Sequence, residues 1–162
     1  MRLLVDQGHD NLGLVEHYDN DIPRYAILSH TWGADTEEVT FKDLMEGTGK
    51  NKAGYEKLRF CRKQAASDDL QYFWVDTCCI DKSSTTEVFE AINSMFHWYG
   101  EAVKCYVYLS DVWYLGTQQT ISYPQPYGNR LSGEVHGLSE AGLYKSFLLQ
   151  HRSNSFHEKA SN

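Results

Sequence analysis

The stretch YAILSHTWG (Tyr25–Gly33) joins an apolar run directly to a cluster of polar, hydrogen-bonding side chains. YFWVDTCCIDK (Tyr72–Lys82) repeats the layout. In EAINSMFHWYGEAVKCYVYLSDV (Glu90–Val112) an amphipathic stretch feeds a third apolar run, Cys105–Leu109, which ends at Ser110 and Asp111. Short runs rich in aromatic and β-branched residues read as buried strands. Strands that end together in polar groups deliver them to one edge of a parallel sheet, where α/β proteins hold ligands.

The segments between these runs have helical spacing. Tyr55, Leu58, Cys61 and Ala65 repeat on one face over Gly54–Ser67, and Asp68-Asp69 turns the chain. Ser84 with Glu87 three positions on fits a capping box, followed by an apolar stripe of Val88, Ile92, Met95, Phe96 and Tyr99. A shorter helix starts near Thr40, which has capping spacing to Asp43. Strands are expected over Arg24–Ser29, Gln71–Thr77 and Lys104–Leu109. The alternation of strand and helix predicts right-handed crossovers and an open, two-sided parallel sheet with flanking helices.

Residues 6–23 are polar and turn-rich and read as an irregular lead-in, closed by Pro23. Past Val112 the pattern lapses into scattered Gly, Pro, Ser and Gln, with a weak helix over Ser139–Gln150 and disorder over His151–Asn162. The chain thus divides into a lead-in (1–23), a core (24–112) and a divergent, poorly ordered tail (113–162). With three strands, the edge beyond Lys104–Leu109 stays bare unless the tail or a partner covers it.

A length of 162 residues suits one buried core, and 41% apolar with 14% aromatic residues excludes a disordered chain. The net charge of −7, with no concentrated Lys/Arg face, argues against nucleic acid. Asp6 interrupts Met1–Val5 before a signal-peptide core can form, and no apolar run is long enough to span a bilayer. A cytoplasmic location is expected. Cys61, Cys78, Cys79 and Cys105 lie in apolar or helical segments and read as reduced, packed thiols. Adjacent Cys78 and Cys79 lack zinc-ligand spacing, so no metal is expected.

YAILSHTWG, WVDTCCIDKSS and EAINSMFHWYGEAVKCYVYLSDV, in this order and spacing, resemble the heterokaryon incompatibility (HET) domain of filamentous fungi. The opening MRLL and the approach DIPRYAILSHTWG fit as well, so the resemblance covers residues 1–112. It implies a role in fungal non-self recognition, an innate-immunity-like response in which fusion of incompatible hyphae triggers growth arrest or programmed cell death. It also implies a distant likeness to TIR domains, which have a flavodoxin-like fold and several of which cleave NAD between nicotinamide and ribose. HET domains continue past the third strand into a segment bearing a glutamate. Here WYLGTQQTISYPQPYGN comes after Asp111-Val112 instead. The family glutamate is read as absent and the domain as truncated after its third core strand, incomplete in its C-terminal half.

That resemblance makes Ser29, His30, Thr31, Trp32, Asp76 and Asp81 the candidate ligand-binding residues. Hydroxyl and imidazole groups suit a phosphate or ribose, and an indole stacks on a ring. The competing roles are structural: loop hydrogen bonds for His30 and Thr31, an edge seal for Trp32, and a cap or a pair with Lys82 for Asp81. Glu87, Glu90 and His97 read as capping or surface groups, with Glu90 facing the site only if its helix is slightly rotated. Removal of nicotinamide needs a carboxylate to stabilise an oxocarbenium-like centre. Without it, no catalytic residue is assigned and the chain is expected to be catalytically impaired. It would act by association with other HET or TIR-like domains or with itself, needing no cofactor and meeting NAD as substrate or ligand. The alternative is an active NAD glycohydrolase using Glu134, Glu140 or a partner's carboxylate. A retained intron or early stop is a further account of the tail.

Overall fold

A two-residue turn opens the architecture. In the computed structural model, which describes residues 1–18, 21–108 and the backbone of 121–124, β1 (Arg2–Gly8) and β2 (Asn11–Glu16) pair antiparallel. His9 (φ 52°) and Asp10 (φ 58°) between them both adopt the left-handed conformation, which a tight hairpin of right-handed twist requires. Asp10 is then pinned: Arg59 donates to both its carboxylate oxygens, and the Tyr55 hydroxyl donates to its carbonyl at 2.9 Å. The irregular lead-in read over residues 6–23 is therefore corrected through Glu16. Pairing and docking, not local alternation, make these strands: Leu3 and Leu4 are both fully buried although adjacent.

β3 (Tyr25–His30), β4 (Tyr72–Trp74) and β5 (Lys104–Tyr108) carry the expected apolar runs. β3 lies between the other two and is parallel to both. β1 joins β4 antiparallel, and β6 (Ile121–Pro124) joins β5 antiparallel. The order β2-β1-β4-β3-β5-β6 makes a mixed sheet with a parallel centre, which corrects the wholly parallel expectation. A two-residue connection can join only antiparallel neighbours, whereas the central strands are reached by crossovers. The free edge expected beyond β5 is paired by β6 of the same chain.

Helix α1 (Phe41–Met45) has Thr40 as its cap: Asp43 N donates to Thr40 Oγ1 at 3.2 Å, and Thr40 N donates to Asp43 Oδ2 at 2.8 Å. α2 (Tyr55–Ser67) buries Tyr55, Leu58, Cys61 and Ala65, as its spacing predicts. β4 stops at Trp74, earlier than expected, because Asp76–Cys79 coils into a single turn, α3, closed by Cys79 N donating to the Val75 carbonyl at 2.8 Å.

α4 (Thr85–Glu101) starts at Ser84, whose hydroxyl accepts from Glu87 N at 3.3 Å. The Glu87 carboxylate does not close the box. It accepts from Asp81 N at 2.7 Å and from Arg2 at 2.5 Å. The buried side of α4 is Ala91 and Met95 with half-buried Val88, Trp98 and Tyr99. Ile92 is 38% exposed, Phe89 63% and Phe96 76%. The helix is thus rotated from the predicted stripe. Trp98 packs on Trp74 (centroids 5.6 Å apart), and the Tyr25 hydroxyl donates to the Trp98 carbonyl at 2.6 Å. These bulky contacts set the rotation.

All four cysteines are buried and unbridged, as read. Among the described residues no helix is long and apolar enough to cross a membrane. The described residues all fall within one compact unit. The helix and disorder expected within residues 139–162 lie outside the described residues.

If β1 is integral to the core, Leu4→Ala costs about 2–5 kcal/mol, as for other buried leucines. Urea titration measures this directly. A loss below about 0.5 kcal/mol, the range of surface substitutions, would return the segment to a lead-in.

Candidate functional site

The parallel strands β3 and β4 end at the same edge, and the segments leaving their carboxyl ends meet there. β3 runs into Thr31, Trp32 and Gly33, while β4 runs into α3, whose first residue is Asp76. The Asp76 carboxylate takes one donor from each of two side chains of the β3 end. His30 Nε2 lies 2.8 Å from Oδ1, and Trp32 Nε1 donates to Oδ2 at 2.9 Å. The His30 and Asp76 side chains are 2% and 5% exposed.

A carboxylate this buried persists only where charge and hydrogen bonds compensate its lost hydration. Burial alone pushes the Asp76 carboxyl up. The His30 ring, the Lys82 ammonium and the donated Trp32 N–H outweigh burial and hold it below the ordinary carboxylate value. An ionised Asp76 only accepts, so His30 Nε2 carries a proton towards it. The other ring nitrogen, Nδ1, is buried with no hydrogen-bond partner among the described residues.

Two further groups border this cluster. Lys82 places its ammonium 3.7 Å from the centroid of the Trp32 ring, a cation–π contact. On the α4 side, the Tyr99 hydroxyl donates to the Leu28 carbonyl at 3.3 Å. Burial above all pushes the Tyr99 phenol well up, so it serves as a neutral donor.

Of the residues picked from the sequence, His30, Trp32 and Asp76 form one bonded cluster. Ser29 stands next to it in sequence, at the end of β3. Thr31 is exposed in the loop between His30 and Trp32. Asp81 stands apart: its Oδ1 accepts from Ser83 N at 2.9 Å and Ser83 Oγ at 2.6 Å. Those bonds hold its carboxyl below the usual range. Its partner is Ser83, not Lys82. The pattern of residues does not single out Tyr99 or Lys82 for this edge. Tyr99 reads as part of an apolar stripe, and Lys82 only as a counter-ion. Ser110, Asp111, Glu134 and Glu140 lie outside the described residues.

Comparison with known proteins falls on the same elements. The family described as Heterokaryon incompatibility protein (HET) matches residues 25–138. Vegetative incompatibility protein HET-E-1 of Podospora anserina is 66% identical over 91 residues, which are 56% of this chain and 7% of that protein. This chain therefore corresponds to a small part of that relative's length. No solved structure matches it.

Asp76→Asn keeps the shape but removes the charge that binds His30 and Trp32. The expected loss is about 1–3 kcal/mol at neutral pH. Because the folded carboxyl titrates below its unfolded value of about 3.9, this contribution is complete above that value. It vanishes as pH falls through the lower, folded value. Urea midpoints of wild type and Asn variant should converge below about pH 4, and a gap that stays constant down to about pH 3 would contradict the assignment.

Proposed function

The chain belongs to the heterokaryon incompatibility (HET) family, and from that premise we propose that it serves fungal vegetative incompatibility, the cytoplasmic non-self response that ends in arrest or death of fused cells. The observation that carries this reading is the 66% identity over 91 residues to a protein named for vegetative incompatibility. The matched family segment contains β3, β4, β5 and the His30–Trp32–Asp76 cluster.

At the level of fold, the proposal is a flavodoxin-like, TIR-like core. Counting only the parallel strands in chain order, their spatial order β4-β3-β5 reads 2-1-3. That is the order in which flavodoxin-like sheets begin, with the ligand beyond the carboxyl ends beside the first strand. Ser29 and His30 stand at that end of β3, in register with Val107 and Tyr108 of β5.

At the level of chemistry, the proposal is that this edge binds a dinucleotide such as NAD without efficient turnover. Support comes from the occupancy of Asp76. Each of its oxygens already accepts from a protein donor, so its charge is engaged in orienting His30 and Trp32. Trp32, Lys82 and Ser29 bring an indole, an ammonium and a hydroxyl to this edge. Action is by association with other HET or TIR-like domains or with itself. The exposed Phe89 and Ile92 of α4, three positions apart on one face, support this.

Induced expression of the full chain in a filamentous fungus is expected to arrest growth, and Phe89→Glu/Ile92→Glu to relieve the arrest and lower self-association in sedimentation. Arrest that is indifferent to this double substitution would overturn the association reading. In calorimetry, Trp32→Ala should weaken NAD binding about tenfold, equivalent to about 1.4 kcal/mol, with nicotinamide release at the buffer background. Steady release that Glu134→Ala or Glu140→Ala abolishes would make the chain an enzyme instead.

A further inference from the structure

Trp32 is gripped from its backbone by a buried ion pair that belongs to neither β3 nor β4. Lys57 on α2 and Glu38 in the loop after β3 are 8% and 6% exposed. Glu38 Oε1 accepts from the Gly33 backbone N–H at 2.5 Å and from the Lys57 ammonium. Lys57 Nζ also donates to the Thr31 carbonyl at 2.8 Å. The Thr31 carbonyl is the peptide unit just before Trp32, and the Gly33 N–H is the one just after it. One ion pair therefore holds both.

The seat of this pair is built from α2 as well. Gly54 N donates to the Glu37 carbonyl at 2.8 Å. A Cβ at Gly54 would stand 2.6 Å from that carbonyl oxygen and 2.9 Å from Glu38 Oε2, closer than such atoms are found. Absence of a side chain at position 54 is what lets the helix start approach the Glu38 carboxylate. Burying two charges is a poor route to stability compared with apolar packing. What this geometry does supply is a fixed placement for one loop, with hydrogen bonds whose direction apolar groups could not reproduce.

From these contacts we infer that Lys57 and Glu38 are positioning residues for Trp32: clamped at both flanking peptides, the indole stands where its N–H reaches Asp76 and its face meets Lys82. Ligand affinity then depends on a pair that does not touch the ligand. The affinity half of this inference rests on the dinucleotide reading above, while the placement of the indole does not.

Fluorine NMR of the full chain labelled with 5-fluorotryptophan separates the two. Trp32→Phe assigns the Trp32 signal. Glu38→Gln/Lys57→Met removes both charges together, so no unpaired charge is left buried. Gly54→Ala crowds Glu38 from the helix side with both charges kept. Each variant is expected to shift and broaden the Trp32 signal while those of Trp74 and Trp98 stay in place. An unmoved Trp32 signal, or a change spread equally over the tryptophans, overturns the inference. In calorimetry with NAD, the double variant should bind about tenfold more weakly, and no further loss should arise in a Trp32→Ala background. A loss that persists in that background assigns the pair to general structure and overturns the positioning role. Failure of wild type to bind NAD would sink the ligand reading while leaving the fluorine result to decide the placement.

Discussion

A carboxylate with almost no access to water must be surrounded by donors, and the edge of this sheet is organised by meeting that demand at Asp76. The two donors come from the far end of another strand, His30 and Trp32, which lie 46 and 44 positions earlier in the chain. Satisfying Asp76 therefore locks the ends of β3 and β4 together and fixes the ring planes of two side chains at once. The remaining charge is balanced from outside by Lys82, which lies over the Trp32 ring. Removing either donor leaves the buried carboxylate short of a protein partner. The geometry of the edge thus depends on both donors and on the nearby positive charge.

The parts of the fold that periodicity controls are legible in the sequence. β3 and β5 fall within a residue or two of their expected places, α2 buries its expected face, and α4 starts at Ser84. The elements that escape depend on contacts distant in the chain. The β1–β2 hairpin turns through His9 and Asp10, which carry no glycine to announce a left-handed turn, and it relies on Arg59 and Tyr55 of α2 to stabilise it. The face of α4 is misjudged because hydropathy ranks Phe96 and Ile92 above Ser94 and Trp98. The space beside Trp74 instead selects Trp98 and Tyr99.

The candidate site divides the same way. His30, Trp32 and Asp76 are legible because polar residues that end a buried run must emerge together at one sheet edge. Their mutual bonding is not, since nothing in the spacing says that a carboxylate will consume both its oxygens internally. Lys57 is the least visible of all. It sits on the half of α2 that buries Tyr55, Leu58 and Cys61, where a lysine reads as an interruption of the apolar face. Only the presence of Glu38 and the Thr31 carbonyl beside it explains why a charge is tolerated there.

Rigidity on one side of Trp32 has a consequence for recognition. Its N–H is committed to Asp76 and its flanking peptides to Lys57 and Glu38, so the indole has little freedom left to lose when a planar group lies against it. Binding costs fall when the receiving surface is already ordered. Lys82 covers that same ring but is an exposed side chain on a flexible stem. Of the groups at this edge, Lys82 is the one that can move cheaply. Under the dinucleotide proposal, a ligand with a ring and an anionic group takes the place of the ammonium on the indole and keeps the ammonium as a counter-ion. An uncharged aromatic would displace it with no such return. Selection for charged, ring-bearing molecules would then result from which group is fixed and which is free.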